Sequence, residues 1–178
     1  LLLKKVGTST RPDACDSYLA FSPVKGQENM LYVAMAEGNQ IWRVDVGNLE
    51  GKDKNTYPGE GYAGKAILEG QVAGAGWEDG LLRNAKFDNP HQICFTEDGK
   101  LYIADCGNNC IRVIDTKLPL DRAMVTTPLG LQGMQGYKDG GPDIAVFNHP
   151  FGVAVSADGQ IVYVADTGNK VIRKLSIQ

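Results

Sequence analysis

The chain repeats itself, and that repetition restricts its fold more than any local propensity does. Asp79-Gly80, Ala85-Lys86-Phe87 and Pro90 return as Asp139-Gly140, Ala145-Val146-Phe147 and Pro150, all displaced by 60 positions (150 − 90 = 60). Leu101-Tyr102-Ile103-Ala104-Asp105 returns as Val162-Tyr163-Val164-Ala165-Asp166, displaced by 61 (166 − 105 = 61), and Ile111-Arg112 as Ile172-Arg173. A degraded earlier copy, Leu31-Tyr32-Val33-Ala34 followed by Asn39-Gln40-Ile41-Trp42-Arg43-Val44-Asp45, aligns with the middle one at a displacement of 70 (104 − 34 = 70).

Each copy divides into short strands separated by turn residues. In the middle copy, strand a is expected over 92–96, b over Lys100–Asp105, c over Cys110–Asp115 and a looser d near 123–129. Val, Ile and Tyr suit a half-buried pleated surface, and Asp-Gly and Asn supply the turns. No segment sustains a helical period. Four antiparallel strands repeated in series are the blades of a β-propeller, so the expected class is all-β with about three blades.

The pattern of Asp-Gly, Ala-x-Phe and Pro, then Leu-Tyr-Ile-Ala-Asp and Asn-x-x-Ile-Arg, resembles the NHL repeat. It occurs twice in full and once in part, from about Tyr18 onward. The resemblance implies a six-bladed ring. It implies little about function, because similar propellers include RNA-binding and ligase-associated proteins, an amidating lyase, and bacterial surface proteins in which an immunoglobulin-like domain precedes the blades. The first copy departs from the pattern, lacking Asp-Gly, Ala-x-Phe and Pro before Leu19.

The expected organisation is one partial propeller, with a closing strand in 1–7 and blades in 16–73, 91–130 and 150–178, the last incomplete. That last copy stops after strand c, and residues 1–6 resemble a lone strand d, so the ends complement each other. Either the remaining blades belong to a longer chain or a second copy supplies them; an opening already in mid-strand favours the first.

The Asp and Arg of the signature look like a catalytic pair, but the copies argue for a structural one. Asp105 occurs with Arg112 and Asp166 with Arg173, while Met35 and Trp42 replace both in the degraded copy. With Asn108-Asn109 as a two-residue turn, positions 105 and 112 would face each other across the hairpin, where side chains touch. Such a pair near the surface is worth only about 0–1 kcal/mol. Asp79-Gly80 and Asp139-Gly140 read as turns. Phe87 and Phe147, with Ala85 and Ala145, read as wedges between blades, and Pro90 and Pro150 as structural strand starts. The Gly-rich insert from Gly47 to Gly64 reads as an exposed loop between strands c and d.

Ligand-binding candidates are fewer. His91 opens strand a, nearest the ring axis, and its counterparts are taken to be Phe151 and Ser17. The amidating lyase of the family holds a metal with His residues that enter its cavity. A catalytic zinc needs three protein ligands, and this chain offers one. His149 precedes Pro150 and reads as a loop residue. Trp77 and Tyr137 match at the 60-residue displacement, each two residues before an Asp-Gly, and suit either ligand contact or capping of a blade edge.

Composition narrows the partners. Eighteen basic residues stand against 21 acidic ones, a net charge of −3, with no basic run longer than Lys4-Lys5, which argues against nucleic acid as the main partner. No apolar stretch approaches the roughly 20 residues of a membrane span. Four cysteines are too few for a disulfide scaffold. Cys106 and Cys110 are one residue too far apart for a CxxC pair and are expected to remain thiols, because a two-residue turn would point them to opposite faces. No cofactor or metal is expected within this segment alone. The expected function is non-enzymatic binding of a protein or carbohydrate, outside the cytoplasm. A metal-dependent hydrolase or lyase with its site on the axis is the alternative, and an RNA-binding propeller the third reading.

Overall fold

A computed structural model describes residues 17–47, 59–64, 73–156 and 158–176. Their regular structure is almost wholly β. The first blade is the meander β1 (Ser17–Phe21), β2 (Met30–Met35), β3 (Gln40–Asp45) and β4 (Gly59–Ala63), in that spatial order. The second comprises β5 (Gly80–Leu81), β6 (Pro90–Phe95), β7 (Lys100–Asp105), β8 (Cys110–Asp115) and β9 (Met124–Leu129), in the order β5-β9-β8-β7-β6. The third has β10 (Pro150–Val155), β11 (Ile161–Asp166) and β12 (Val171–Ser176). All pairings are antiparallel, as short strands joined by tight turns require. The chain is thus all-β and forms part of a propeller. The closing strand expected in residues 1–7 lies outside the described residues, as does Cys15.

Several local expectations are corrected. The insert from Gly47 to Gly64 is not loop throughout, because its end is β4, the outer strand of the first blade. Gly-Glu-Gly has little strand preference of its own, yet β3 offers it an edge, and Tyr62 and Ala63 become buried there. Gly80 is more than a turn residue: with Leu81 it forms a short fifth strand on β9.

The hairpin between β7 and β8 has a four-residue turn, 106–109. Asp105 therefore faces Cys110, and Arg112 faces Ile103. Asn109 takes the left-handed conformation, φ 55°, that lets two successive turns close the corner, and Asn tolerates this better than most residues. The expected pair forms all the same, on the diagonal. Arg112 Nη1 lies 2.6 Å from Asp105 Oδ2, and Arg173 Nη1 lies 3.0 Å from Asp166 Oδ2 at the same register.

The pairs are not at the surface, as the sequence suggests, but in the interior. Arg112 and Asp105 are both 0% exposed. Arg112 directs five hydrogen bonds at Asp105, the carbonyls of Lys86 and Glu78, and Asp79, which takes two. That matches the full donor capacity of a guanidinium. Asp105 also accepts from the Asp88 amide at 2.8 Å and from Asn108 at 2.9 Å. Arg173 repeats the arrangement with Val146 O, Lys138 O and Asp139. One buried ion pair thus ties down the connection that leads from each blade to the next.

That connection carries the wedges. Ala85 and Phe87 are buried against Tyr32, Ala34, Ile41, Tyr62 and Ala63 of the first blade. Ala145 and Phe147 are buried against Tyr102, Ala104, Ile111 and Leu129 of the second. Each interblade seam therefore has a Tyr-x-Ala strand with an Ile behind it on one side, and an Ala-x-Phe loop with an inner strand on the other.

Two outcomes follow for stability. Arg112→Ala leaves Asp105 buried without its cation, a loss of about 3–5 kcal/mol. Lys100→Ala, which breaks only the exposed pair with Asp98, costs less than about 1 kcal/mol. Urea unfolding midpoints of the two variants measure the difference. The second outcome concerns pH. Burial pushes the Asp105 carboxyl up to about 6, against the pull of Arg112, Asn108 and the Asp88 amide. An unfolded Asp titrates near 3.9. Between about pH 4 and 6 the folded chain therefore holds a proton that the unfolded chain releases, and stability falls as pH rises through this window. Melting between pH 4 and 7 should show this component in the wild type and lose it in Asp105→Asn.

Candidate functional site

The register of the second blade sets Pro90, Asp105, Cys110 and Leu129 along one edge. Inner strands start there, the b–c turns lie there, and the blade-to-blade connections cross it. Every candidate ligand-binding residue that the sequence singles out belongs to this edge, through an inner-strand start or a connection.

The inner strands bring together a row of rings. His91 packs on Phe151 with centroids 3.9 Å apart, and on Tyr18 at 5.6 Å. The row runs across all three blades, so its members come from β1, β6 and β10. His91 and Phe151 occupy matching places because both inner strands bulge: Pro90 pairs with Asp105 and Ile93 with Ile103, while Pro150 pairs with Asp166 and Gly152 with Ala165. A bulge adds one residue and re-aims its side chain. The pairing of β1 with β2 in the first blade has no bulge, so Ser17, opposite Met35, matches Pro90 and Pro150 rather than His91. Tyr18 makes the contact instead, and the sequence comparison missed it because the register differs by one residue.

His91 is the buried middle of this row, at 1% exposure. Phe151, at 38%, is the most exposed of the three rings. Beside it Gln92 Oε1 accepts from the Val153 amide at 3.2 Å and stands where a side chain on Gly152 would lie, which welds β6 to β10. A second bond crosses each seam on the same edge. Asn39 Oδ1 accepts from the Asn89 amide and Asn109 Oδ1 from the His149 amide, each at 2.8 Å.

Trp77 and Tyr137 sit farther out and cover the buried arginines. The Arg112 guanidinium lies between Trp77, 5.6 Å from the ring centroid, and Phe87, at 4.9 Å. Arg173 lies likewise between Tyr137, at 4.7 Å, and Phe147, at 5.2 Å. Of the two capping rings Tyr137 is the more exposed. Asp79 and Asp139 complete these clusters, a role that the Asp-Gly reading missed. The signal was available: the first copy lacks Asp-Gly as well as the Asp and Arg of the signature, so all three elements come and go together.

Cys94, Cys106 and Cys110 are free thiols. Cys110 stands opposite Asp105 and Cys106 lies in the turn, so the opposite-face argument from a two-residue turn does not describe their positions. Burial pushes the Cys94 thiol up to about 11 and the Cys106 thiol up to about 12, and raises Cys110 as well. At neutral pH they are protonated and poor nucleophiles. Among the described residues no three His, Cys, Asp or Glu side chains are grouped closely enough to share a metal ion. No helix of these residues is long and apolar enough to cross a membrane.

With this geometry in view, comparison with known proteins is direct. The NHL repeat family model matches residues 87–114, from the Phe87 wedge to Ile114 in β8. The chain is 30% identical over 151 residues to NHL repeat-containing protein 2 of Gallus gallus, a match that covers 84% of this chain and 19% of that protein. Among solved structures, a structural genomics protein of unknown function from Bacteroides thetaiotaomicron superposes with a TM-score of 0.78 at 23% identity, covering 100% of this chain and 39% of that one. An auxiliary nutrient binding protein from Bacteroides ovatus superposes with a TM-score of 0.70 at 25% identity, covering 89% and 36%. The chain thus spans about a fifth of its curated relative and under two-fifths of these two structures. Repeat, register and relatives agree: the chain belongs to the NHL-repeat β-propellers.

Proposed function

We propose that the chain is part of a non-enzymatic binding propeller, working outside the cytoplasm, that takes a neutral ligand on the edge where its inner strands begin. The observation that carries this reading is the row Tyr18–His91–Phe151, which runs from blade to blade and offers Phe151 to solvent. A buried, tightly packed layer behind an exposed ring gives a preorganised surface, and preorganisation lowers the entropic cost of binding. Aromatic faces stack on apolar surfaces, and the C–H faces of a sugar are of that kind. The amide of Gln92 adds a polar group beside the ring. The Bacteroides ovatus neighbour, an auxiliary nutrient binding protein, supports the binding role, and capture of a nutrient fits a place outside the cytoplasm. The buried Asp–Arg pairs are structural in this reading, because their hydrogen bonds go to the chain itself.

Titration of the protein with a panel of neutral oligosaccharides tests the proposal, read from the NMR signals of the three rings. One or more sugars should shift the Phe151 and Tyr18 signals and be recovered chemically unchanged. Phe151→Ala should weaken that binding at least tenfold. In the free protein the same variant should remove the ring-current shift that Phe151 imposes on the His91 imidazole. Sugars that leave all three rings unmoved would contradict the ligand reading, and accumulation of a hydrolysed product would contradict the non-enzymatic one.

A further inference from the structure

The seam between the second and third blades carries polar side chains that the seam between the first and second lacks. The two share a base. Asn169 Nδ2 donates to the Gly136 carbonyl and to the buried Asp166 carboxylate, each at 2.8 Å, as Asn108 Nδ2 does to Gly76 and Asp105. Above that base the copies diverge. At the 60-residue displacement Gln135, Asn148 and His149 replace Ala75, Asp88 and Asn89 (148 − 88 = 60). Asn148 keeps the place of Asp88, since a side chain added to Gly168 would strike the one and a side chain added to Gly107 the other. The earlier seam closes without Gln135 and His149, so the fold does not require them. Both are exposed on the edge where the inner strands begin.

The hydrogen bonds of this cluster run in one direction. Asn169 Nδ2 is engaged by a carbonyl and a carboxylate, which only accept, so Asn169 Oδ1 faces Asn148 Nδ2, at 3.5 Å. Asn148 Oδ1 is thereby turned toward Gln135 Nε2 at 2.7 Å and His149 Nδ1 at 2.8 Å. An amide oxygen only accepts, so His149 Nδ1 carries the proton; a bare Nδ1 would set two acceptors against each other. The 3.3 Å contact between Gln135 Nε2 and Nδ1 is then one between two donors. In the neutral ring Nε2 keeps its lone pair, on an exposed side chain. The chain is anchored at both ends. Asp166 is 0% exposed and paired with Arg173, and the His149 amide donates to Asn109 Oδ1 at 2.8 Å.

We propose that His149 determines ligand specificity, its Nε2 held as a hydrogen-bond acceptor for a hydroxyl of a neutral sugar and the Gln135 carbonyl serving as a second acceptor. This role rests on the binding reading above and names the group on the ligand that is read. Phe151 follows His149 by two residues, so their Cα atoms lie at most about 7 Å apart. That span is within the length of a disaccharide, and a sugar stacked on the ring therefore brings hydroxyls to the imidazole. Acceptors suit such a ligand, because every sugar hydroxyl can donate and neither acceptor adds a charge that a neutral ligand would leave unbalanced. Asn148 is a positioning residue: it acts on the ligand through the tautomer of His149. The earlier seam offers a carboxylate and an asparagine at these places, so among the described residues the subsite belongs to the later seam alone.

Two readouts on the 178-residue chain test the proposal. In mildly alkaline buffer, long-range nitrogen–proton correlation spectra of the free protein should show a protonated Nδ1 and a bare Nε2 at His149. Asn148→Asp, which keeps an acceptor at the same place, should preserve that pattern, and Asn148→Ala should move the proton toward Nε2. The second readout is titration with maltotriose, cellotriose and mannotriose. A sugar that shifts the Phe151 signals should also move His149 Nε2, and His149→Ala should weaken its binding about fivefold, the weight of one hydrogen bond. Asn148→Ala should weaken it likewise with an unchanged circular dichroism spectrum, while Asn148→Asp should bind as the wild type does. A free imidazole protonated at Nε2 would overturn the proposal. So would a sugar that moves Phe151 and leaves His149 untouched, a result that spares the ring-stacking reading. Sugars that move neither residue would overturn both.

Discussion

The guanidinium buried at the centre of a full blade is the constraint on which the rest of the structure depends. A cation removed from water must have every donor satisfied, and Arg112 meets that demand with two carboxylates and two backbone carbonyls. Those carbonyls, of Lys86 and Glu78, belong to the connection from the preceding blade, and the carboxylate of Asp105 holds the Asp88 amide of the same connection. The segment from Trp77 to Asn89 is thereby fixed at several points, with no regular structure of its own beyond the two residues of β5 and the bridge between Glu78 and Lys86. Phe87 is held in the seam as a consequence, and Trp77 is held over the cation. The third blade repeats the arrangement around Arg173. The first blade, with Met35 and Trp42 in place of Asp and Arg, takes another solution in which Trp42 donates to Gln40 across two positions of the same strand.

The functional edge inherits its order from that constraint. Fixing the connections fixes where each inner strand begins, and the bulges after Pro90 and Pro150 then aim His91 and Phe151 at each other. A ring row assembled from three blades keeps its spacing only if the seams do not slide. The Asn-to-amide bonds across both seams and the Gln92 bond to Val153 oppose such sliding. Rigid scaffolds that present loop and strand-end side chains in this way commonly carry binding functions.

Much of this was legible in the sequence, and the gaps have physical causes. The two copies of Tyr-x-Ala-Asp and Ile-Arg announce blades and an Asp–Arg contact because a buried ion pair tolerates little substitution of one partner alone. The register was not legible: Gly and Asn residues suit a two-residue turn at 108–109 as well as the four-residue turn at 106–109, which closes through the left-handed backbone of Asn109. The depth of the pair was hidden too, since burial comes from Phe87 and Trp77 closing over it from a distant stretch of chain. β4 escaped notice because Gly59-Glu60-Gly61 becomes a strand only through the edge that β3 offers. The place of Ser17 was misjudged because a bulge leaves no trace in residue type, and so the ring that meets His91 proved to be Tyr18.

Native-state hydrogen exchange at the Asp88 and Asn148 amides tests the central claim most directly. Each donates to the buried carboxylate of its own blade, Asp105 at 2.8 Å and Asp166 at 2.7 Å, and neither belongs to a strand ladder. If the ion pairs hold the connections, both amides exchange as slowly as those of the neighbouring strands, and Arg112→Lys releases Asp88 while leaving Asn148 protected. Rapid exchange of both amides in the wild-type chain would contradict the account, because the connections would then be open while the pairs stay intact.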